Sequence, residues 1–252
     1  MADPKGCGPH GRDSGELLAS VRFDGSLPTE AHAAGCATAG LPSSAPVRYP
    51  CGMCHVKLPH RKKVRHYDDP AHCHELTFSC YKRWPLLTNN LWRGMLSDAI
   101  DRANERHGYL LTAFVYMPEH VHLLVYPGPG ASNIDRLLKA IKRPYSYRIK
   151  QLLVETASSL LKRLTIQQRP GVESFRFWQE GPGYDRNLDN PDSALAAIDY
   201  IHRNPVRRGL VERAIDWQWS SARWYEGLPY DPNIRLPKLE KLPAEFLAQA
   251  AR

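Results

Sequence analysis

From His74 onward the chain switches repeatedly between a two-residue and a helical spacing of its apolar positions. His74-Glu-Leu-Thr-Phe-Ser-Cys-Tyr81 puts Leu76, Phe78 and Cys80 at alternate positions, which line one face of a strand. Leu91, Met95, Ala99 and Ile100 then recur at helical spacing. Asn89 or Asn90 can cap that helix, which is predicted to reach about Arg106 and to end at His107-Gly108. Tyr109 to Met117 reads as a second strand. It turns at Met117-Pro118-Glu119 into a third, His120-Val-His-Leu-Leu-Val-Tyr126. Ser132 or Asn133 opens another helix through about Leu153, and Leu160 to Thr165 prolongs the helical region. Phe175 to Gln179 reads as a fourth strand and Glu180 to Asp185 as a loop. Asn190-Pro191 starts a last helix with Leu195, Ile198 and Ile201 as its inner stripe. It is expected to stop near Arg203, because Pro205 pushes the residue before it out of the α region.

The order β-α-β-β-α-β-α is a split βαβ pattern. It predicts an α+β fold, a ferredoxin-like antiparallel sheet with helices on one face. Residues 1–56 differ from the rest: Gly, Ala, Pro and Ser dominate without periodicity, so this extension reads as disordered and of low complexity. A folded domain is expected over 57–228, opening on the basic arm Lys57 to His66, with a loosely packed Pro-rich tail over 229–252.

His120 and His122 flank a single valine, so in a strand their imidazoles project side by side while Val121 and Leu123 face the core. Such a pair can hold a divalent metal with open coordination positions, as phosphoryl-transfer chemistry requires. On the last helix Tyr200 and Asn204 lie one turn apart and share a face. A phenol with a pKa of ~10 is a poor nucleophile in water. Beside a metal that polarises a phosphate, it becomes a credible one.

Composition narrows the partner. The 252 residues carry a formal net charge of +8, which favours a polyanion such as nucleic acid. No apolar run approaches the ~20 residues of a membrane span. Six cysteines without an apolar leader read as reduced thiols in the cytoplasm. Cys51-Gly-Met-Cys54-His55 has the spacing of a zinc or c-type haem motif, but no second ligand pair accompanies it.

Taken in order, the His120-Val-His122 strand after Met117-Pro-Glu, Phe177-Trp-Gln179, Asp199-Tyr-Ile-His-Arg-Asn-Pro-Val-Arg-Arg-Gly-Leu210 and Trp219-Ser-Ser221 resemble a known family. They are similar to the single-tyrosine HUH transposases, in the REP-associated tyrosine transposase branch, over about residues 60 to 225. The resemblance implies an HUH endonuclease fold, with His120, His122 and Asn204 binding Mg²⁺ or Mn²⁺ and Tyr200 as nucleophile. Related enzymes often carry Gln at the position of Asn204. The implied activity is cleavage and strand transfer of single-stranded DNA at REP-like hairpins, through a 5′-phosphotyrosine, in a cytoplasmic, nucleoid-associated protein. One nucleophile per subunit suits a homodimer or a monomer acting on one end at a time. Lys139, Lys142, Arg143, Tyr145 and Arg148 read as a DNA track on the second helix, with Arg207 and Arg208 as further phosphate contacts. Tyr145 and Tyr147 are rival nucleophiles ranked below Tyr200, while Phe177, Trp178, Trp217 and Trp219 read as packing residues. Two other classes compete: a catalytically inactive DNA- or RNA-binding module, and a metal hydrolase that uses the histidines without tyrosine.

Overall fold

The computed structural model describes residues 72–181 and 183–248; the N-terminal extension, the basic arm and the Cys51/Cys54 pair lie outside the described residues. In chain order the elements are β1 (Cys73–Ser79), α1 (Asn90–His107), β2 (Tyr109–Tyr116), β3 (His120–Pro127) and α2 (Ile134–Glu155). There follow α3 (Ser159–Leu164), β4 (Thr165–Arg169), β5 (Val172–Phe175), β6 (Tyr184–Leu188) and α4 (Pro191–Arg207). Helix starts fall where the sequence offers a side-chain acceptor. Asn89, Asn133 and Asn190 accept from the backbone N–H of Trp92, Arg136 and Ser193. Gly108, at φ 74°, closes α1 in the left-handed conformation.

Four strands pair antiparallel in the order β2-β3-β1-β6, the split βαβ arrangement that the element order predicts, while β4 and β5 form a separate hairpin. Alternation along the strands then decides what covers each face. Leu76, Phe78, Phe114, Val121 and Leu123 point into the larger core with α1 and α2. Ala113, Val115 and Leu124 point the other way, into a second core with Ala194, Ala197, Ile198 and Ile201 of α4. The expectation of helices on one face therefore holds for α1 and α2 and needs correction for α4. Strand β2 is apolar on both sides and β3 adds Leu124 to the second, so both sides demand a cover.

Three further differences have local causes. The fourth strand is β6, not Phe175–Gln179; the segment at Trp178 makes only a single bridge to Cys80. Apart from Leu188, β6 is too polar to read as a strand, yet it pairs with β1 along Thr77↔Tyr184 to Cys73↔Leu188. Gly183 makes that entry possible: at φ +94°, a Cβ there would lie 2.2 Å from the Thr77 carbonyl oxygen. Second, α4 runs through Pro205 to Arg207. A proline in the last turn forfeits little more than its own N–H bond, and Arg208 N–H still reaches the Asn204 carbonyl. On this helix Ala194, Ala197, Ile198 and Ile201 form the buried stripe and Leu195 is exposed. Third, the tail expected to pack loosely is docked through residue 248. Leu242 and Phe246 enter the second core, and Arg235 pairs with Asp98 and Asp101 of α1.

Replacing Gly183 by alanine should therefore lower stability by about 1–3 kcal/mol through a strained φ and a backbone clash. Urea denaturation of the variant beside the parent checks it. An unchanged midpoint would show that β6 enters without this constraint.

Candidate active site

The β1–β3 register sets Thr77 opposite His122 and Ser79 opposite His120, on the sheet face that α4 covers. The two Nε2 atoms face each other at 3.0 Å. Behind them, His120 Nδ1 meets a Glu119 carboxylate oxygen at 3.1 Å, and His122 Nδ1 meets the Thr77 hydroxyl at 2.8 Å. A proton on each Nδ1, donated to those partners, turns both Nε2 lone pairs toward one point. Two lone pairs at that separation repel unless a cation lies against both, and two nitrogens bound to one ion at ~2.1 Å have about this spacing. The donor set therefore fits a divalent metal. Burial pushes His122 down to about 3 and lowers His120 as well, although Glu119 opposes it, so both rings are neutral, the form that ligates metal. Among the described residues no three His, Cys, Asp or Glu side chains form a metal-holding group.

Helix α4 brings a phenol and an amide to the same place. The Tyr200 ring stands edge-on to His122, centroids 5.7 Å apart. One turn on, the buried Asn204 donates its amide N–H to the Tyr200 carbonyl at 2.8 Å, which directs its amide oxygen away from the helix backbone. Tyr200, Asn204, His120 and His122 line one cavity of about 470 Å³ together with Arg83, Arg207 and Arg208. The Arg207 guanidinium lies 5.1 Å from the Tyr200 ring centre. Arg208 donates to Glu119 at 2.7 Å. Burial would raise the Glu119 carboxyl, but His120 and Arg208 outweigh it and hold it below its usual range. Glu119 thus ties an imidazole to a guanidinium while both face the cavity.

The other candidates separate into two groups. Arg207 and Arg208 line the cavity. Lys139, Arg143 and Arg148 are exposed on α2, which packs on the opposite face of the sheet, so they do not join it. Lys142 is half-buried, 4.8 Å from the Phe78 ring, with burial lowering its ammonium to about 8. Tyr145 requires a correction. It is 1% exposed and packs against Phe177 and Trp178, so it cannot stack on a splayed base or act as a nucleophile. Ile141, Tyr145 and Ile149 at four-residue spacing were the signal for its burial. Phe177, Trp178 and Trp219 are buried packing residues as read from the sequence. Sequence reasoning missed Glu119, although a carboxylate directly before the first histidine was visible. It also missed Arg83, which stands with Lys82 at positive φ (54° and 52°) and has no such signal.

Comparison with known proteins finds likeness in sequence and in fold. Residues 71–181 match the family model described as "Transposase IS200 like". A protein classed with the REP-associated tyrosine transposases from Haemophilus influenzae is 26% identical over 124 residues, covering 49% of this chain and 65% of that one. The REP-associated tyrosine transposase of Escherichia coli is 24% identical over 127 residues, covering 50% of this chain and 62% of the relative. A solved structure of a REP-associated tyrosine transposase bound to a REP hairpin covers 72% of this chain and 95% of its own, with a TM-score of 0.50 at 20% identity. The likeness to that structure is one of fold.

The buried histidine makes stability depend on pH in a defined direction. His122 is lowered from 6.5 to about 3 in the folded chain, so below the higher value the unfolded chain takes up a proton that the folded chain refuses. With chelator present, this residue should remove about 2 kcal/mol of stability between pH 7.5 and 5. Denaturation at the two pH values measures it, and His122→Asn should make the loss smaller.

Proposed function

From this kinship with the IS200-like, REP-associated tyrosine transposases, we propose that the chain cuts and rejoins single-stranded DNA beside REP-like hairpins through a covalent 5′-phosphotyrosine on Tyr200. The observation that carries the reading is the convergence of a phenol, a converging imidazole pair and two arginines on one cavity. Arg207 and Arg208 supply positive charge to a phosphate that enters there, and Arg83 extends that charge across the cavity rim. In this reading the Tyr200 oxygen attacks phosphorus. The P–O3′ bond breaks, the 3′ oxygen leaves as a hydroxyl, and the phosphate remains on the phenol. Attack by another 3′-hydroxyl reverses the step and joins the strands. His120, His122 and Asn204 would hold Mg²⁺ or Mn²⁺, which would polarise the scissile phosphate. Glu119 and Thr77 keep the two rings in the tautomer and orientation that this needs. The net charge of +8 suits a DNA partner, and no described helix is long and apolar enough to cross a membrane.

The test is purified protein with labelled hairpin DNA and Mn²⁺ on a denaturing gel. A protein-linked band is expected for the parent and none for Tyr200→Phe or His120→Ala. DNA binding by the parent without an adduct, over a range of hairpins, would instead favour a silent binding module. Glu119→Ala should raise the Mn²⁺ concentration for half-maximal cleavage by about 10–100-fold, read from a metal titration of the cleavage rate.

A further inference from the structure

A second cavity, of about 450 Å³, opens from the active site between β1, β6 and α4. It shares Thr77, His122 and Tyr200 with the first, and Glu75, Tyr184 and Arg186 complete it. Its chemistry is unlike that of the arginine-rich site beside it. Glu75 sits in its wall only 5% exposed, and the charged group that faces it is Arg186. Arg186, its cross-strand neighbour, approaches no closer than 3.6 Å and is half exposed. A buried carboxylate left in that condition is costly, and the cost falls when a ligand brings N–H donors. An ion pair at the edge of the sheet does not account for it, since pairs with a solvated partner contribute little. The Tyr184 ring is 55% exposed and offers an aromatic face at the cavity. On α4 the lining residues are Ala196 and Ala197, whose small side chains leave room between helix and sheet.

We infer that this cavity is a nucleobase pocket, in which Glu75 accepts from the exocyclic amino group of the base next to the scissile phosphate. The inference rests on the reading of Tyr200 as the nucleophile, because the shared wall puts the base beside that residue. In single-stranded DNA the Watson–Crick edge is free, so cytosine, adenine and guanine can each present an amino group to the carboxylate. Thymine cannot. Tyr184 stacks on the base, and Arg186 donates to a ring nitrogen or carbonyl next to the amino group. The cleavage machinery would then carry its own base preference, separate from recognition of the hairpin.

The experiment uses the full chain and a hairpin oligonucleotide with a randomised single-stranded flank. Products are sequenced after two selections: adduct formation by the parent with Mn²⁺, and binding by Tyr200→Phe without cleavage. Both should enrich amino-bearing bases over thymine by about tenfold at one position next to the cut. Adding Glu75→Gln, which turns an acceptor pair into one acceptor and one donor, should abolish or invert that preference at that position alone. The other randomised positions serve as internal control. Tyr184→Ala, at a ring more than half exposed, should weaken binding about tenfold and carries the test if Glu75→Gln fails to fold. Absence of any preference next to the cut, or a preference that survives both substitutions, overturns the pocket. A Glu75-dependent preference in the binding selection with no adduct from the parent would keep the pocket and remove the tyrosine mechanism. An adduct without that preference would do the reverse.

Discussion

Two neutral imidazoles facing each other at 3.0 Å inside a packed sheet are the constraint on which the rest of this molecule depends. Neither ring has freedom to turn away, because Thr77 on one side and Glu119 on the other fix it through the far nitrogen. That rigidity is made by the β1–β3 register, and the register by the apolar side chains on the reverse face of the same strands. A slip of one residue would turn the histidines into the larger core and Val121 and Leu123 out of it. Core packing and site geometry are thus one arrangement seen from two sides.

Glu119 links the site to the backbone around it. Its carbonyl accepts from Cys80 N–H at 2.8 Å while its side chain engages His120 and Arg208, so the turn before β3 and the end of α4 are joined through one residue. The strained pair Lys82 and Arg83 lies two and three residues after Cys80 and brings a second guanidinium within 3.8 Å of the same carboxylate. Positive charge therefore gathers around a buried acid and remains presented to the cavity. This suits a site that must receive a phosphate and release it.

Much of the architecture was legible in the sequence because its signals are local. Asparagine caps, Gly108 and the Val/Leu alternation of β3 each act within a few residues, and the predicted helix starts and the pairing of the two histidines follow from them. What escaped depends on distant partners. The polar Tyr184–Leu188 segment becomes a strand only because Gly183 lets it approach Thr77, more than a hundred positions earlier. Tyr145 among basic residues looked like a DNA contact, but its helix turns that position into the core. Placing α4 required knowing that β2 is apolar on both faces. Pro205 shows the limit of a local rule, since a proline that would break mid-helix is accommodated in a last turn.

The docked C-terminal segment gives the nucleophile helix a second dependence. Phe246 and Leu242 share the core that holds α4, and Arg235 anchors the same segment to α1 on the other side of the sheet. The segment acts as a strap across both layers. A minimal catalytic core trimmed at the last matched motif, Trp219-Ser-Ser221, would keep every proposed catalytic group and lose the strap that seats their helix.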